Sequence, residues 1–549
     1  MTDKWPDQNR GPKAPRLALV LGGAIVFAIV GWIIGTRATP GPNTVSNQTH
    51  ASKRVARVTS DATTHRSAPA RSQNTSSSVI PPNAKPGEAI LRFKSDEALR
   101  QFIANPPKGI RILGSESRLR AVRIGFDDPA ALEVVQSSDT SSIEFNFIVS
   151  VPEMPDPDKV ASLGPSAPFG NGALAWLGAS DRPSSWGAGV KVAVLDAGIQ
   201  PHPALAGVTI RSVDLMGGST EVAYSGHATA VASLLAGSAA GIPGVSPGVE
   251  IFDIRVLDAS GTGDSFTLAS GILRAADMGA QVITLSLGTY GDSPMIRDAV
   301  DYALARNIAI VAAAGNDGYA NLTYPARYPG VIAVGAIDAT GATAPFSNSG
   351  QTLAIVAPGT AITAAWLDGQ TIAFSGTSAS VPLVSGAIAY VIADQRYLSP
   401  SAAAEIVLQN ADDAGPPGND PAYGYGTLDL GRLEDRQTTG LHDLAIASHW
   451  VDPAAATTSG SIPVQITVQN LGTVTESYAI LKVTDGQSHQ EFTIVNLAPG
   501  AISTRTFTLN QNASGEGAPV FIQSSVSRTG VQDIRPANNQ RTSVLLQSR

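Results

Sequence analysis

Five near-continuous apolar runs in the middle of the chain constrain its fold more than any other feature. They are VKVAVLDAG, VEIFDIRVL, AQVITLSLG, IAIVAAAGN and VIAVGAID, and helical stretches such as Ser265 to Met278 and Met295 to Arg306 lie between them. Parallel strands connected by helices are buried on both faces, so they are apolar throughout and do not alternate. The pattern predicts an α/β domain at about residues 160–437, with a parallel sheet covered by helices on both faces.

A shorter stretch before this region, residues 87–152, has a different order of elements. The sequence predicts a strand at 89–93, a helix at 95–104 capped by Ser95, strands at 110–113 and 120–126, a helix at 128–135 and a final strand at 143–151. The order β-α-β-β-α-β is that of the ferredoxin-like fold. By itself this order indicates a fold and no function.

Residues 438–549 alternate apolar and polar side chains in short stretches separated by Gly, Asn and Pro. About seven strands of this kind predict an all-β, immunoglobulin-like sandwich. Such a domain is either a structural appendage or a module that binds a carbohydrate or a protein partner, and the sequence leaves both open.

The first 86 residues contain one long apolar run. Leu17 to Gly35 is 19 residues without a charge, and as a helix it would be about 28 Å long and span a bilayer. Basic residues precede it in residues 1–16, and only Arg37 follows closely. We therefore expect a signal anchor with a cytoplasmic N-terminus; a cleaved signal peptide is the alternative. Residues 36–86, rich in Ser, Thr, Asn and Pro, predict a disordered linker.

The composition excludes several classes of site. The chain has 37 basic and 45 acidic residues, a net charge of −8, and no cysteine. The acidic excess argues against a nucleic-acid-binding surface. The lack of cysteine excludes disulfides, a catalytic thiol and zinc sites with Cys ligands. We place no Asp-rich calcium motif in the loops, so no metal ligand and no cofactor is assigned, and calcium stays compatible as a structural ion.

Three polar residues of the α/β region lie where chemistry is expected. Asp196 ends the strand VKVAVLD, at the edge where open parallel sheets bind ligands. His227 opens the run HATAVA, and Ser378 begins a long apolar helical stretch, where unpaired N–H groups favour an oxyanion. Each alone is more often a turn former or a cap, but the order Asp, His, Ser is a known order of convergent catalytic triads. The other histidine here, His202, is interpreted as a turn or surface residue.

The segments around these residues resemble a known family. Asp196 in VAVLDAGI, His227 in SGHATAVA and Ser378 in SGTSASVP are similar to the three active-site motifs of the subtilisin-like serine proteases, and their spacing is similar too. AAAGNDG, YPARYPGVIAVGAID and FSNSGQTLAIVAPG also resemble that family. The resemblance covers about residues 165–435. The unit at 87–152 resembles the propeptide of the family, a folding aid and inhibitor, and the tail resembles an adhesion-type sandwich domain.

The resemblance implies a role for each residue. Ser378 would attack the peptide carbonyl, His227 would take its proton, and Asp196 would hold the imidazole in the right tautomer. Asn316 in AAAGNDG would complete the oxyanion hole with the Ser378 N–H. Without the triad, Asn316 would be interpreted as a turn residue.

Two short segments are expected to clamp an extended peptide by β-addition. They are Ser286-Leu287-Gly288 and Gly261-Thr262-Gly263, and as residues they could equally be ordinary strand ends. The motifs depart from the family pattern at Ala228 and Ala379, where the family commonly has Gly and Met. Neither change removes a catalytic atom.

The sequence therefore predicts an exported serine endopeptidase that is made as an inhibited precursor. Its partners would be polypeptide substrates, its own propeptide and, through the N-terminal segment, a membrane. Maturation between Val151 and Pro165 would leave the anchor on the propeptide and release the enzyme. The alternative is an inactive subtilisin-like scaffold that acts in binding. A non-proteolytic α/β hydrolase is a third candidate, but the Gly-x-Ser-x-Gly motif is missing and the triad order differs.

Overall fold

The structure, a computed structural model, describes residues 81–545 apart from gaps at 82, 136–138, 157–165, 218–224, 240, 453–460 and 511–519. The predicted cytoplasmic segment 1–16, the apolar run 17–35 and most of the linker 36–86 lie outside these residues. So do residues 157–165, the second half of the segment that we expect to be cut.

The first unit has the predicted ferredoxin-like order. Its elements are β1 (Ala84–Phe93), α1 (Asp96–Ala104), β2 (Ile110–Glu116), β3 (Ala121–Phe126), α2 (Ala131–Val135) and β4 (Thr140–Ser150). The strands pair antiparallel in the order β4-β1-β3-β2. Ser95 caps α1 as predicted, because its side chain accepts a hydrogen bond from the Ala98 N–H. The linker prediction is wrong at its end: β1 begins at Ala84, which pairs with Phe147 of β4.

The second unit contains the parallel sheet. Its elements are α3 (Ala173–Trp176), β5 (Lys191–Asp196), β6 (Thr209–Asp214), α4 (His227–Ala236), β7 (Ser238–Ala239), β8 (Ile242–Pro243), β9 (Glu250–Arg255), β10 (Thr262–Asp264), α5 (Ser265–Asp277), β11 (Val282–Leu285), α6 (Pro294–Leu304), β12 (Ala309–Ala313), β13 (Ile332–Ile337), β14 (Leu353–Pro358), β15 (Ile362–Ala365), β16 (Thr371–Phe374), α7 (Thr377–Asp394), α8 (Pro400–Gln409) and α9 (Leu430–Asp435). Seven strands form the sheet in the order β14-β13-β12-β11-β5-β9-β6, and all of them are parallel.

The topology places a crevice at the end of β5. After β5 the chain first builds β6 and β9 on one side of it, then crosses to add β11, β12, β13 and β14 on the other side. Open parallel sheets bind ligands at such a switch point, beyond the carboxyl ends of the strands. The residue at the carboxyl end of β5 is Asp196.

Helix α7 is the central helix of this unit. Its side chains are buried from Thr377 to Ile392, and small residues permit this close packing; a Cβ on Gly386 would lie 2.6 Å from the Val245 side chain. Within the described residues it is the one helix long and apolar enough to cross a membrane, but 89% of it is buried inside the protein. It is therefore a core helix.

The C-terminal unit is all-β, as predicted. Its strands are β17 (Leu444–Val451), β18 (Ser461–Asn470), β19 (Glu476–Thr484), β20 (His489–Leu497), β21 (Ile502–Asn510), β22 (Val520–Ser527) and β23 (Gln540–Leu545). They form two sheets, β17-β18-β21 and β20-β19-β22-β23. Alternate residues such as Val464, Ile466, Leu481 and Phe507 form one apolar core between them.

Candidate active site

Asp196 and His227 form a buried pair at the switch point. Asp196 is the last residue of β5 and is fully buried, and His227 is the first residue of α4 and 7% exposed. The His227 Nδ1 atom lies 2.8 Å from Asp196 Oδ2 and 3.0 Å from Oδ1. A carboxylate there fixes the imidazole with Nδ1 protonated, so that Nε2 is left as the acceptor.

Gly226 lets α4 begin at this position. Its φ of 82° lies in the left-handed region, and a Cβ there would approach the Trp366 ring to 2.6 Å. The ring of Phe374 then packs edge-on against the imidazole, at 5.3 Å between centroids. The base is thus held by a carboxylate on one side and by an aromatic ring on another.

Ser378 lies in the same pocket, but its hydroxyl is not hydrogen-bonded to His227. It is the second residue of α7 and 2% exposed. Its Oγ donates to the Ser286 carbonyl oxygen at 3.2 Å, and His227 Nε2 has no hydrogen-bond partner among the described residues. The predicted Ser–His hydrogen bond is therefore not formed in this structure. Both residues line one cavity of ≈ 430 Å³.

Pro382 explains how Ser378 is anchored. A proline has no N–H, so the carbonyl of the residue four positions earlier, Ser378, loses its helical donor. The Ser286 hydroxyl replaces that donor at 3.1 Å. The two serines therefore exchange hydrogen bonds between side chain and backbone, which ties the start of α7 to the segment after β11.

Asn316 is oriented by Thr377. The Asn316 Oδ1 atom accepts hydrogen bonds from the Thr377 N–H and from Thr377 Oγ1, both at 2.9 Å. Because a backbone N–H can only donate, this contact fixes which amide atom is the oxygen. The Nδ2 atom is directed into the pocket, where it donates to the Glu153 carbonyl oxygen at 3.1 Å.

The chain's own residues occupy the predicted peptide cleft. Ser150 and Gly288 exchange two backbone hydrogen bonds, of 3.0 and 2.9 Å, and the Val151 N–H donates to the Gly261 carbonyl oxygen at 3.0 Å. On the other side β10 pairs antiparallel with β4, with Thr262 opposite Ser150. The first unit thus continues into the cleft as an extended strand and ends at the Asn316 amide.

Of the six residues expected to clamp a peptide, four contact this strand through their backbone: Gly261, Thr262, Gly263 and Gly288. Ser286 contacts the nucleophile instead, and Leu287 is fully buried in the core.

Ion pairs hold the first unit against the second, and the positive charge always comes from the first unit. Each joins a basic side chain of the first unit to an aspartate of the second. The pairs are Arg92–Asp298 (2.7 Å), Arg123–Asp264 (2.7 Å), Lys85–Asp264 (3.4 Å) and Arg118–Asp277. Asp264 is 2% exposed, so it is buried beneath the first unit.

Asp253 was not predicted from the sequence to be of interest, and the prediction for His202 is only partly right. Asp253 of β9 is 4% exposed and accepts hydrogen bonds from Ser212 Oγ (2.9 Å) and from the Ile199 N–H (3.3 Å). Burial raises its pKa to about 6. His202 is a turn residue as predicted, since its Nδ1 accepts from the Ala204 N–H, but it is buried and not at the surface.

The pattern of the Subtilase family matches residues 187–426, and that of the CARDB family matches residues 441–543. An alkaline protease of Alkalihalobacillus alcalophilus is 33% identical over 315 residues, which is 55% of this chain and 80% of that protein. The chain belongs to the subtilase family. Subtilisin Savinase of Lederbergia lenta is 39% identical to this subtilase over 214 residues, or 37% of this chain and 77% of the relative. The minor extracellular protease Epr of Bacillus subtilis (strain 168) is 31% identical over 326 residues, which is 56% of this chain and 49% of that protein.

This subtilase is a serine endopeptidase with a C-terminal CARDB domain, so the resemblance seen in the sequence is confirmed. The alternative of an inactive binding scaffold gains no support from the relatives, which are proteases by name. Subtilases commonly bind structural calcium. In the part of the chain that the structure describes, no group of three or more His, Asp or Glu side chains is arranged to hold a metal ion.

Proposed function

We propose that this subtilase cuts polypeptides through Ser378 as the nucleophile and His227 as its general base. Asp196 orients the imidazole, and the Asn316 amide together with the Ser378 N–H stabilises the oxyanion. The observation that supports these roles best is the position of the chain's own Glu153. Its carbonyl oxygen accepts a hydrogen bond from Asn316 while the residues before it lie as a strand in the cleft.

Catalysis needs one rotation of the nucleophile. The Ser378 hydroxyl turns from the Ser286 carbonyl to His227 Nε2, gives up its proton there and attacks the peptide carbonyl carbon. The imidazolium, stabilised by Asp196, then protonates the leaving amine. Water then attacks the resulting acyl ester while His227 takes its proton. The imidazolium returns a proton to the Ser378 oxygen, and the carboxylic acid product leaves. The negative oxygen forms where Asn316 Nδ2 already donates, so this donor needs little reorganisation.

We further propose that residues 87–152 inhibit the precursor by filling the cleft. Their last strand uses the same backbone groups of Gly261 and Gly288 that a substrate would use. The contact of Asn316 with the Glu153 carbonyl supports a maturation cut at the Glu153–Met154 bond, inside the segment expected from the sequence. The hydrogen bond of the Ser378 hydroxyl to the Ser286 carbonyl is consistent with a precursor that is not yet cut.

Export and anchoring follow from the N-terminal sequence. A relative is named as an extracellular protease, and the apolar run at 17–35 suits a signal anchor or a signal peptide. In the anchored form the catalytic unit lies outside the membrane, and a cut after Glu153 removes the covalent link between the anchor and the catalytic unit with its C-terminal domain.

A fluorophosphonate probe tests the catalytic assignment, because it reacts only with an activated serine. The full chain should be labelled once it is processed, whereas Ser378→Ala should stay unlabelled and uncut. N-terminal sequencing of the labelled species should give Met154 as the first residue. Labelling of Ser378→Ala would refute the nucleophile, and an active species that starts before Gly87 would refute both the cut and the release.

A further inference from the structure

Two buried aspartates lie in the loop between α8 and α9, 35 and 42 residues after Ser378. Asp413 is 5% exposed and Asp420 is 7% exposed. The loop that joins them, Asp413-Ala414-Gly415-Pro416-Pro417-Gly418-Asn419-Asp420, contains no basic residue. Neither aspartate forms an ion pair with any residue that the structure describes. Buried carboxylates are normally paired with a cation.

Each aspartate satisfies one of its oxygens and leaves the other without a partner. Asp413 Oδ1 accepts from the Gly418 N–H at 2.7 Å. Asp420 Oδ1 accepts from the N–H groups of Ala422 (2.7 Å) and Tyr423 (3.1 Å). The Oδ2 atom of each is buried and has no hydrogen-bond donor among the described residues. These two oxygens therefore lack the positive partner that burial requires.

The pKa shifts of Asp413 and Asp420 also indicate that a positive partner is missing. Burial, and to a smaller extent the neighbouring Asp420, raise the pKa of Asp413 to about 7. Burial also raises the pKa of Asp420. Two carboxylates that disfavour each other's charge are stabilised by a divalent cation between them, which reverses the sign of the local field.

The loop backbone can supply the remaining ligands. The carbonyl oxygens from 413 to 419 accept no hydrogen bond from the described part of the chain. Gly415 and Gly418 have φ values of 71° and 81°, which allow the loop to turn its carbonyls in directions that other residues rarely reach. Carboxylate, carbonyl and water oxygens are the ligands that Ca²⁺ prefers.

The same loop contacts the C-terminal domain. The Asp413 N–H donates to Gln469 Oε1 at 2.8 Å, and Gln469 Nε2 donates to the Ala411 carbonyl at 3.2 Å. Gln469 belongs to β18 of the CARDB domain. An ion held by Asp413 would therefore stiffen the loop on which that domain rests.

We propose that Asp413 and Asp420, with backbone carbonyls of the loop between them, form a calcium site at the junction of the protease and CARDB domains. The residues of the site are not those assigned to catalysis, and its effect is on the stability of the junction. Two carboxylates balance the charge of one Ca²⁺.

The test measures calcium binding in the full chain with Ser378→Ala, which prevents self-digestion. After treatment with a chelator, isothermal titration with CaCl₂ gives the number of ions bound, and thermal unfolding with and without Ca²⁺ gives the stabilisation. Asp413→Asn and Asp420→Asn should each bind one ion fewer, or bind it at least tenfold more weakly, and should lose part of the calcium-dependent rise in Tm.

Asp338→Asn is the matched control. Asp338 is also a buried loop aspartate, but both of its oxygens have backbone or hydroxyl donors, from Ala167, Thr340 and Ala342. This variant should bind as many ions as the parent. Equal ion numbers and equal affinities in all four chains would overturn the proposal and leave a shared proton as the device that neutralises the pair.

A second measurement covers the case in which the Asn variants do not fold. In the parent chain, Ca²⁺ should slow cleavage within residues 412–420 by an added protease at least tenfold, while Mg²⁺ at the same concentration should not. Fragments are identified by mass spectrometry. Unchanged cleavage of this loop in the presence of Ca²⁺ would also overturn the site.

Discussion

At the scale of single residues, the active site depends on side chains that do no chemistry. Asn316 can donate to an oxyanion only if its amide is held in one orientation, and Thr377 provides both hydrogen bonds that hold it. The Thr377 hydroxyl also accepts from the Gly315 N–H at 3.3 Å. Thr377 therefore positions the donor from the residue next to the nucleophile.

Thr377→Val removes the hydroxyl and keeps the shape of the side chain. The Thr377 N–H still donates to Asn316, so we expect a fall in kcat of about 2- to 13-fold, which corresponds to the loss of the one hydrogen bond, of about 0.5–1.5 kcal/mol, that the hydroxyl donates to the amide. KM for a peptide substrate should stay within twofold. For comparison, Asn316→Ala should cost about 10²–10³-fold, a loss that is known from subtilisin itself. Equal kcat in Thr377→Val and the parent would contradict the positioning role.

Asp253 predicts a change of stability with pH. Its pKa is raised from 3.8 to about 6 because the carboxyl is buried. The folded protein therefore keeps this proton at pH values where the unfolded chain has lost it. The stabilisation is complete below about pH 4 and is lost as the pH rises to about 6, which amounts to about 3 kcal/mol.

The comparison is with Asp253→Asn, which can still accept from Ser212 and has no charge to bury. In the Ser378→Ala chain, urea unfolding at pH 4.5 should give similar free energies for the two proteins. At pH 7.5 the Asn variant should be more stable by up to about 3 kcal/mol. A difference that is the same at both pH values would show that Asp253 does not take up a proton on folding.

At the scale of elements, the sequence predicts what depends on local pattern. The five apolar runs correspond to β5, β9, β11, β12 and β13, because both faces of these strands are covered and the runs are apolar throughout. The edge strand β6 was not predicted, since its sequence TIRSVD is largely exposed and lacks the apolar signal. The pairing of β10 with β4 joins two units, and although Gly261-Thr262-Gly263 was expected to pair with an extended peptide, no local pattern identifies β4 as its partner.

The residues of the site, like the strands, were predictable where a local sequence motif marks them. The triad and Asn316 stand out through motifs, whereas the rotamer of Ser378 depends on the Ser286 carbonyl, which is brought close only by the fold. Likewise, the loop of Asp413 and Asp420 has no recognisable calcium pattern. Only the burial of both carboxylates distinguishes it from an ordinary turn.

At the scale of the whole molecule, the first unit and the protease share one sheet. Strand β10 extends the four strands of the first unit to a five-stranded sheet in the order β10-β4-β1-β3-β2. The unit is therefore held by strand pairing at the cleft and by ion pairs along its flank. After the maturation cut, release depends on the strength of these contacts, since the cut itself breaks none of them.

The pair Arg123–Asp264 should dominate that strength. The Arg123 Nη1 atom donates to Asp264 Oδ2 at 2.7 Å and to Thr267 Oγ1 at 3.3 Å, and the Asp264 side chain is only 2% exposed. Removing one partner of a buried ion pair costs about 3–5 kcal/mol where the other charge is left without compensation, and here Lys85 at 3.4 Å still offsets part of the Asp264 charge. Because the Arg123 side chain is 22% exposed, water offsets part of that cost.

Arg123→Gln should therefore speed release of the first unit. In the full chain, the delay between the cut and the appearance of activity on an added peptide should shorten at least tenfold, about 1.4 kcal/mol. Arg111→Gln is the matched control, because Arg111 lies on the neighbouring strand and pairs with the exposed Asp127 of its own unit. Its delay should equal that of the parent. If Arg123→Gln and Arg111→Gln had the same delay, strand pairing in the cleft, and not the buried ion pair, would set the lifetime of the inhibited enzyme.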